Sequence, residues 1–325
     1  MLIYLSVKTI RTLCVLLLLS FSPVTHAFDG PLQVKNQFPL FMYINAPYLE
    51  KASLDNSFSA SFSYASIYLV KESSEWSAGL DMEVAELNLR FRKTFRDFIE
   101  FGVELPIVSF NSGFMDGFLN SYHNAFGFPD YGRSRRPDNT FLYKVRRTGD
   151  RVITGESGRL GLGDMKLSVK KPIVKGDPAI SVRGDIEFPT GDAESGYGNG
   201  SFDAGVSLLI EKTLSDIFKT YGNLGIGFPG NLRGYETIDL EKYIHGGVAF
   251  EGKVWKDIDI IGQVFIQGSP LPKTGIGQLD RTAVLLSLGG RYHSGSNSFE
   301  FSLTEDPNTA GAPDVMFNFT LKRGF

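Results

Sequence analysis

The sequence predicts an all-β fold: a transmembrane antiparallel β-barrel of about twelve strands with a long, partly helical extracellular loop. Three observations predict it. Apolar residues alternate with polar ones in short runs along most of the chain. The connections between these runs are alternately short and long. The chain ends on an alternating strand whose last residue is aromatic, Phe325. Successive side chains of a strand point to opposite faces, so each run carries one apolar face. Only closing the sheet removes both the apolar face and the open edge from water.

The N-terminus reads as an address. Lys8 and Arg11 precede an apolar run from Leu13 to Phe21, Pro23 ends it, and Thr25-His26-Ala27 offers small residues for cleavage. Residues 1–27 are thus expected to be a secretory signal peptide, too short to span a bilayer. Cleavage leaves 325 − 27 = 298 residues, without cysteine because Cys14 lies in the signal. The balance becomes 33 − 2 = 31 basic against 36 acidic residues, net −5. That argues against nucleic acid as a partner. No later run is apolar and long enough for a membrane helix.

The strands follow in order. Phe58, Ala60, Phe62 and Tyr64 mark the first, Leu87, Leu89 and Phe91 the second, and Ile99, Phe101, Val103 and Leu105 the third. Runs near residues 165–169, 180–188, 204–210, 224–228, 244–250, 258–266, 284–288 and 299–303 supply eight more. In the last strand, Val315, Phe317, Phe319, Leu321 and Phe325 share one face. Phe317, Phe319, Leu321 and Phe325 resemble the C-terminal assembly signal of bacterial outer-membrane proteins, which implies the barrel assembly machinery as a partner. Arg323 departs from that pattern, and snorkelling to the interface would accommodate it.

Connections at 93–97, 172–178, 212–216, 255–257 and 293–297 are short, whereas 110–160, 190–201, 229–242, 269–281 and 305–313 are longer. Short turns on one side and long loops on the other is the outer-membrane pattern. The barrel is expected over residues 57–325, in the bacterial outer membrane and in contact with its lipid.

Strand parity then assigns the lumen wall. Arg90 and Arg92, Glu100 and Glu104, Lys166 and Lys170, and Arg183, Asp185 and Glu187 point inward. Neighbouring strands place basic beside acidic groups, which favours cross-strand pairing. Strands seven to eleven show smaller, less charged residues inside: Gly225, Gly227, Gly247, Ala249, Gln263, Gln267, Ser287 and Gly289. Residues 28–56 alternate poorly and contain three prolines, yet are apolar. They form a periplasmic or lumen-plug segment, with packing inside or against the mouth favoured.

The longest loop, 110–160, carries Met115, Phe118, Leu119, Tyr122 and Phe126 at helical spacing, then a turn-rich run. Phe141, Tyr143 and Val145 read as a short strand that pairs with Arg151 to Thr154. Loops this long act as lids or constrictions, or as caps on the rim. His123, Phe126, Asp130 and Arg133 are its gate candidates.

His123-Asn124-Ala125-Phe126-Gly127-Phe128-Pro129-Asp130-Tyr131-Gly132-Arg133 resembles the signature of a Gram-negative family known as a domain of unknown function. Asn36-Gln37-Phe38-Pro39, Gly161-Leu162-Gly163-Asp164, Phe188-Pro189-Thr190-Gly191-Asp192 and Ala312-Pro313-Asp314 extend the likeness over the mature chain. Tyr122, Phe128 and Tyr131 depart from it. The two Gly-Asp runs are also similar to those of uptake barrels for aromatic compounds. The resemblance implies an outer-membrane barrel and leaves the activity open. Asp164 and Asp192 read as rim-turn residues.

No catalytic set emerges. Ser121 and His123 lie two apart on a predicted helix and do not face each other, and no nucleophile, base and orienting group combine. No metal spacing appears, and no cofactor is expected. The sequence therefore points to a channel or transporter for small or amphipathic solutes. A closed structural or interaction barrel is the competing class, and a hydrolase a distant third.

Overall fold

A computed structural model describes residues 27–42, 47–119, 121 and 132–325. The strands are β1 (Ser57–Glu72), β2 (Trp76–Phe95), β3 (Ile99–Asn111), β4 (Leu142–Arg147), β5 (Asp150–Thr154), β6 (Leu160–Leu162), β7 (Met165–Val174), β8 (Ala179–Phe188) and β9 (Asp203–Ser215). They continue as β10 (Phe218–Phe228), β11 (Leu232–Arg233), β12 (Thr237–Ile238), β13 (Tyr243–Trp255), β14 (Ile258–Gln267), β15 (Ala283–Ser294), β16 (Asn297–Glu305) and β17 (Val315–Gly324).

Twelve of them form a closed antiparallel ring, β1-β2-β3-β7-β8-β9-β10-β13-β14-β15-β16-β17 and back to β1. The closing pair puts Phe62 opposite Phe319 and Ala60 opposite Leu321. The terminal strand therefore returns to the first one over the span that its alternation marks.

The barrel is apolar outside and polar inside. In β17, Phe319 and Leu321 are 51% and 46% exposed, whereas Asn318, Thr320 and Lys322 between them are 1%, 3% and 5% exposed. A soluble sheet would bury the phenylalanines, so this inversion identifies a lipid-facing wall. Phe58, Phe91, Phe101, Val206, Leu208, Ile244, Phe250, Leu288 and Phe301 continue the apolar belt around the ring. Arg323 points outward opposite Phe58, one row from the chain end. No helix among the described residues is long and apolar enough to cross a membrane, and the strands do the crossing.

The structure corrects two expectations. The first two strands do not end at Tyr64 and begin at Leu87; they run on as a tall hairpin that turns between Glu72 and Trp76. From Ala78 to Val84 every residue is buried, so alternation is absent there. Where β3 leaves β2 at Asn111, the hairpin β4–β5 takes over the edge, with Trp76 to Asp81 pairing Arg147 to Leu142. The strands seven to eleven are also not uniformly low in charge. Glu251, Asp259, Arg291 and Glu300 are all buried toward the end that carries the chain termini.

Candidate functional site

The site is the lumen, and the described residues 28–42 and 47–56 lie in it. Starting near the termini, Asp29 and Gly30 donate their N–H groups to Glu251, and Lys322 pairs with the Asp29 carboxylate. Leu32 donates to Gln263, and Gln33 donates to Glu300 and accepts from Ser59 and Arg90. Lys35 pairs with Glu86 at 3.0 Å. Asn36 reaches the loop end of the barrel, where its amide donates to Gln267 and to the Gly311 carbonyl at 2.7 Å. Its own carbonyl accepts the Phe38 N–H and fixes the turn before Pro39.

The chain then comes back. Tyr48 accepts from Asn88, and Asn223 both receives the Glu50 N–H and donates to the Glu50 carbonyl. Ser53 donates to Glu211 and accepts from Lys170, and Asp55 N–H donates to Glu100. Lys51 and Lys322 each pair with both Asp29 and Asp55, which ties the outgoing and returning ends together at one mouth. Each of the twelve barrel strands gives at least one side chain to this segment.

The segment has a charged side and an apolar side, and each meets its own wall. On the charged side, Arg90 and Arg92 of β2 and Arg183 of β8 converge on the Glu50 carboxylate, the last two at 2.7 and 2.6 Å. Arg90 and Arg183 also share Glu104, at 3.2 and 3.3 Å, and Arg183 holds Asp185. Lys170 pairs with Glu100 at 2.9 Å, and Lys166 lies in register with Glu187 and Glu104. All nine wall residues expected from strand parity lie on the inner face, and all are buried. On the apolar side, Leu32 lies against Gly289 and Leu49 against Gly247. The absence of a side chain at those glycines leaves room for the segment. Leu32, Val34, Phe38, Phe41 and Leu49 join one apolar cluster with Tyr143, Val145, Leu232 and Leu279 of the loops.

Sequence parity missed Glu50, Lys35 and Asp55, because an irregular segment has no face to assign. It also missed Arg291, which pairs with Glu251 and Glu300 and donates to the Gly30 and Pro31 carbonyls. Inward parity on β15 would have found it.

The loop end is fastened by the short motifs. Asp164 accepts the N–H groups of Gly191 and Asn199 at 2.7 and 3.0 Å, and Thr190 donates to the Gly163 carbonyl. The Gly161–Asp164 and Phe188–Asp192 motifs thus interlock. Burial, with the charge of Glu187 added, pushes the Asp164 carboxyl up to about 7. Asp192 caps its own turn through Glu194 and Ser195. Arg133 pairs with Asp116 in the long loop and with Asp314 of the Ala-Pro-Asp motif. Residues 116–119 are helical. His123, Phe126 and Asp130 lie outside the described residues.

A family model described as a protein of unknown function (DUF3187) matches residues 6–325. The chain belongs to the DUF3187 family. No curated protein matches this DUF3187 chain in sequence. Solved structures match its fold. The COG4313 outer membrane channel from Pseudomonas putida F1 superposes with a TM-score of 0.56 at 11% identity, over 85% of this chain and 98% of that one. The P. putida toluene transporter TodX gives 0.40 at 8% identity, over 85% and 91%. The Ralstonia pickettii toluene transporter TbuX gives 0.42 at 8%, over 90% and 99%. The DUF3187 chain therefore has the fold of an outer-membrane β-barrel channel. Among its described residues, no group of three or more His, Cys, Asp and Glu side chains could hold a metal ion.

Proposed function

We propose that this barrel is a gated conduit for small or amphipathic solutes, and that residues 28–56 are its plug. The observation that carries this reading is the way the segment is held. It sits in the lumen on ion pairs and hydrogen bonds from every wall, with both of its ends at one mouth. Such contacts are reversible, and the wall has ion pairs of its own that do not involve the segment, Arg90–Glu104 and Lys170–Glu100 among them. Withdrawal of the segment would leave a passage with charged groups on β2, β3, β7 and β8 and with room at Gly247 and Gly289 where Leu49 and Leu32 now lie, which suits an amphipathic solute. The fold supports a channel in preference to an enzyme.

A closed barrel that works through its loops is the second reading, favoured by the apolar cluster that joins the segment tip to the loops. Conductance separates the two. In planar bilayers, wild type is expected to show brief openings, and deletion of residues 28–56 to give a steady conductance. A deletion variant that keeps its heat-modifiable barrel and conducts no ions would establish the closed barrel instead.

A further inference from the structure

Three arginines from two strands meet around a single carboxylate, and that carboxylate belongs to the inserted segment. Arg92 reaches Glu50 at 2.7 Å and Arg183 reaches it at 2.6 Å, and Arg90 pairs with it as well. Their side chains are 11%, 9% and 3% exposed, and Glu50 is 4% exposed. Planar guanidinium groups suit carboxylates because they donate paired N–H groups in a fixed fork.

The wall partly satisfies two of the three on its own. Arg90 and Arg183 keep Glu104, and Arg183 keeps Asp185. Arg92 is different: it pairs with Glu50 and Asp55, both of the inserted segment. With the segment withdrawn, Arg90, Arg92, Arg183 and the adjoining Lys170 face Glu104, Asp185 and Glu100 of the wall. Arg92 alone then loses both of its acidic partners, while Arg90 and Arg183 keep Glu104 and Asp185. A desolvated guanidinium without its anion is costly, so the vacated position favours a replacement anion of the same shape.

We infer that Arg90, Arg92 and Arg183 form a carboxylate-binding subsite of the conduit, with Glu50 as its built-in occupant. The solute class is then a small monocarboxylic acid, whose carboxylate takes the place of Glu50 while its apolar body lies toward Gly247 and Gly289. Binding of solute and seating of the segment become mutually exclusive at this subsite. The inference rests on the proposed movement of residues 28–56 for its transport role, but the subsite is testable without transport.

Chemical rescue tests it in the full-length protein in detergent micelles. Glu50→Ala removes the built-in carboxylate and leaves a small space. Added acetate is expected to raise the unfolding midpoint of this variant to a saturating level, whereas acetamide, of the same size and uncharged, leaves it unchanged. Wild type is expected to ignore both, and Arg92→Gln in the Glu50→Ala background to abolish the rescue. Equal effects of acetate and acetamide, or no effect of either, would overturn the subsite. Should Glu50→Ala give no heat-modifiable barrel, Glu50→Ser, which also leaves space for acetate, carries the same comparison, read as acetate binding by saturation-transfer NMR. Absence of binding there also overturns it. A variant that binds acetate but stays shut in planar bilayers keeps the subsite and sinks the gated conduit.

Discussion

Arg133 and Asp314 form a salt bridge across 181 residues of sequence, joining the long loop to the entry of the terminal strand. The same guanidinium holds Asp116 and donates to the Ser66 hydroxyl at 3.2 Å, and its face lies 5.2 Å from the Tyr68 ring. Arg133 thus anchors the loop to β1 and β17. Arg133→Ala removes the shared cation of one buried and one partly buried carboxylate, a loss of up to about 3–5 kcal/mol on the scale of a buried pair. The expected outcome is a loop cut rapidly by protease while the barrel stays heat-modifiable. Arg133→Lys restores charge but not the fork, so it should protect only in part. A loop as resistant as wild type in the alanine variant would refute the anchoring role.

Asn36 makes the corresponding contact for the inserted segment. Its amide bridges Gln267 and the Gly311 carbonyl, and its carbonyl holds the Phe38 N–H. Asn36→Ala strands buried partners at about 1–3 kcal/mol each. Hydrogen exchange at the Phe41 and Met42 amides, which bond to the Phe38 carbonyl, should accelerate well beyond that of the β1–β17 ladder. Equal acceleration in both places would mean that the whole barrel is loosened, contrary to a local tip contact.

How much of this was legible depends on whether a residue had one wet face and one apolar face. Phe58 to Tyr64 and Val315 to Leu321 did, so their pairing and closure follow from alternation. Ala78 to Val84 did not, because every residue there is buried, on both faces of the strand. Arg90, Glu104 and Arg183 were assignable by parity. Glu50, at the centre of their cluster, was not, since an irregular segment takes its position from its partners and not from its own period. The loop motifs were visible as motifs, but nothing local says that Asp164 receives the N–H groups of Gly191 and Asn199.

That Asp164 contact carries a pH prediction. The carboxyl has a value of about 7 in the fold against 3.8 in an ordinary setting, because burial disfavours its charge and Glu187 adds to the effect. Between these values the folded state binds more protons than the unfolded one. Stability is therefore expected to fall as pH rises from about 4 to about 7, and to level off above. Denaturant midpoints across that range read the slope, and Asp164→Asn should make it shallower without abolishing it, since burial raises the Asp306 carboxyl in the same sense. A slope unchanged in Asp164→Asn would assign the effect to another group.

Phe325 separates packing from assembly. Its ring stacks on Phe91 at 5.8 Å, Lys93 lies 4.9 Å above it, and its N–H reaches the Asn56 carbonyl at 3.1 Å. An aromatic pair of this kind contributes about 0.5–1.5 kcal/mol beyond its buried area. The ladder from Ser57–Gly324 to Ser66–Val315 does not depend on it. Phe325→Ala should therefore refold into lipid vesicles with a nearly wild-type yield and unfolding midpoint. If the terminal aromatic is read by assembly machinery, the same variant should reach the membrane in cells at a much lower level. Equal losses in vesicles and in cells would show that Phe325 acts through packing alone. Wild-type levels in both would show that the closing strand is recognised through Phe317, Phe319 and Leu321 without its last residue.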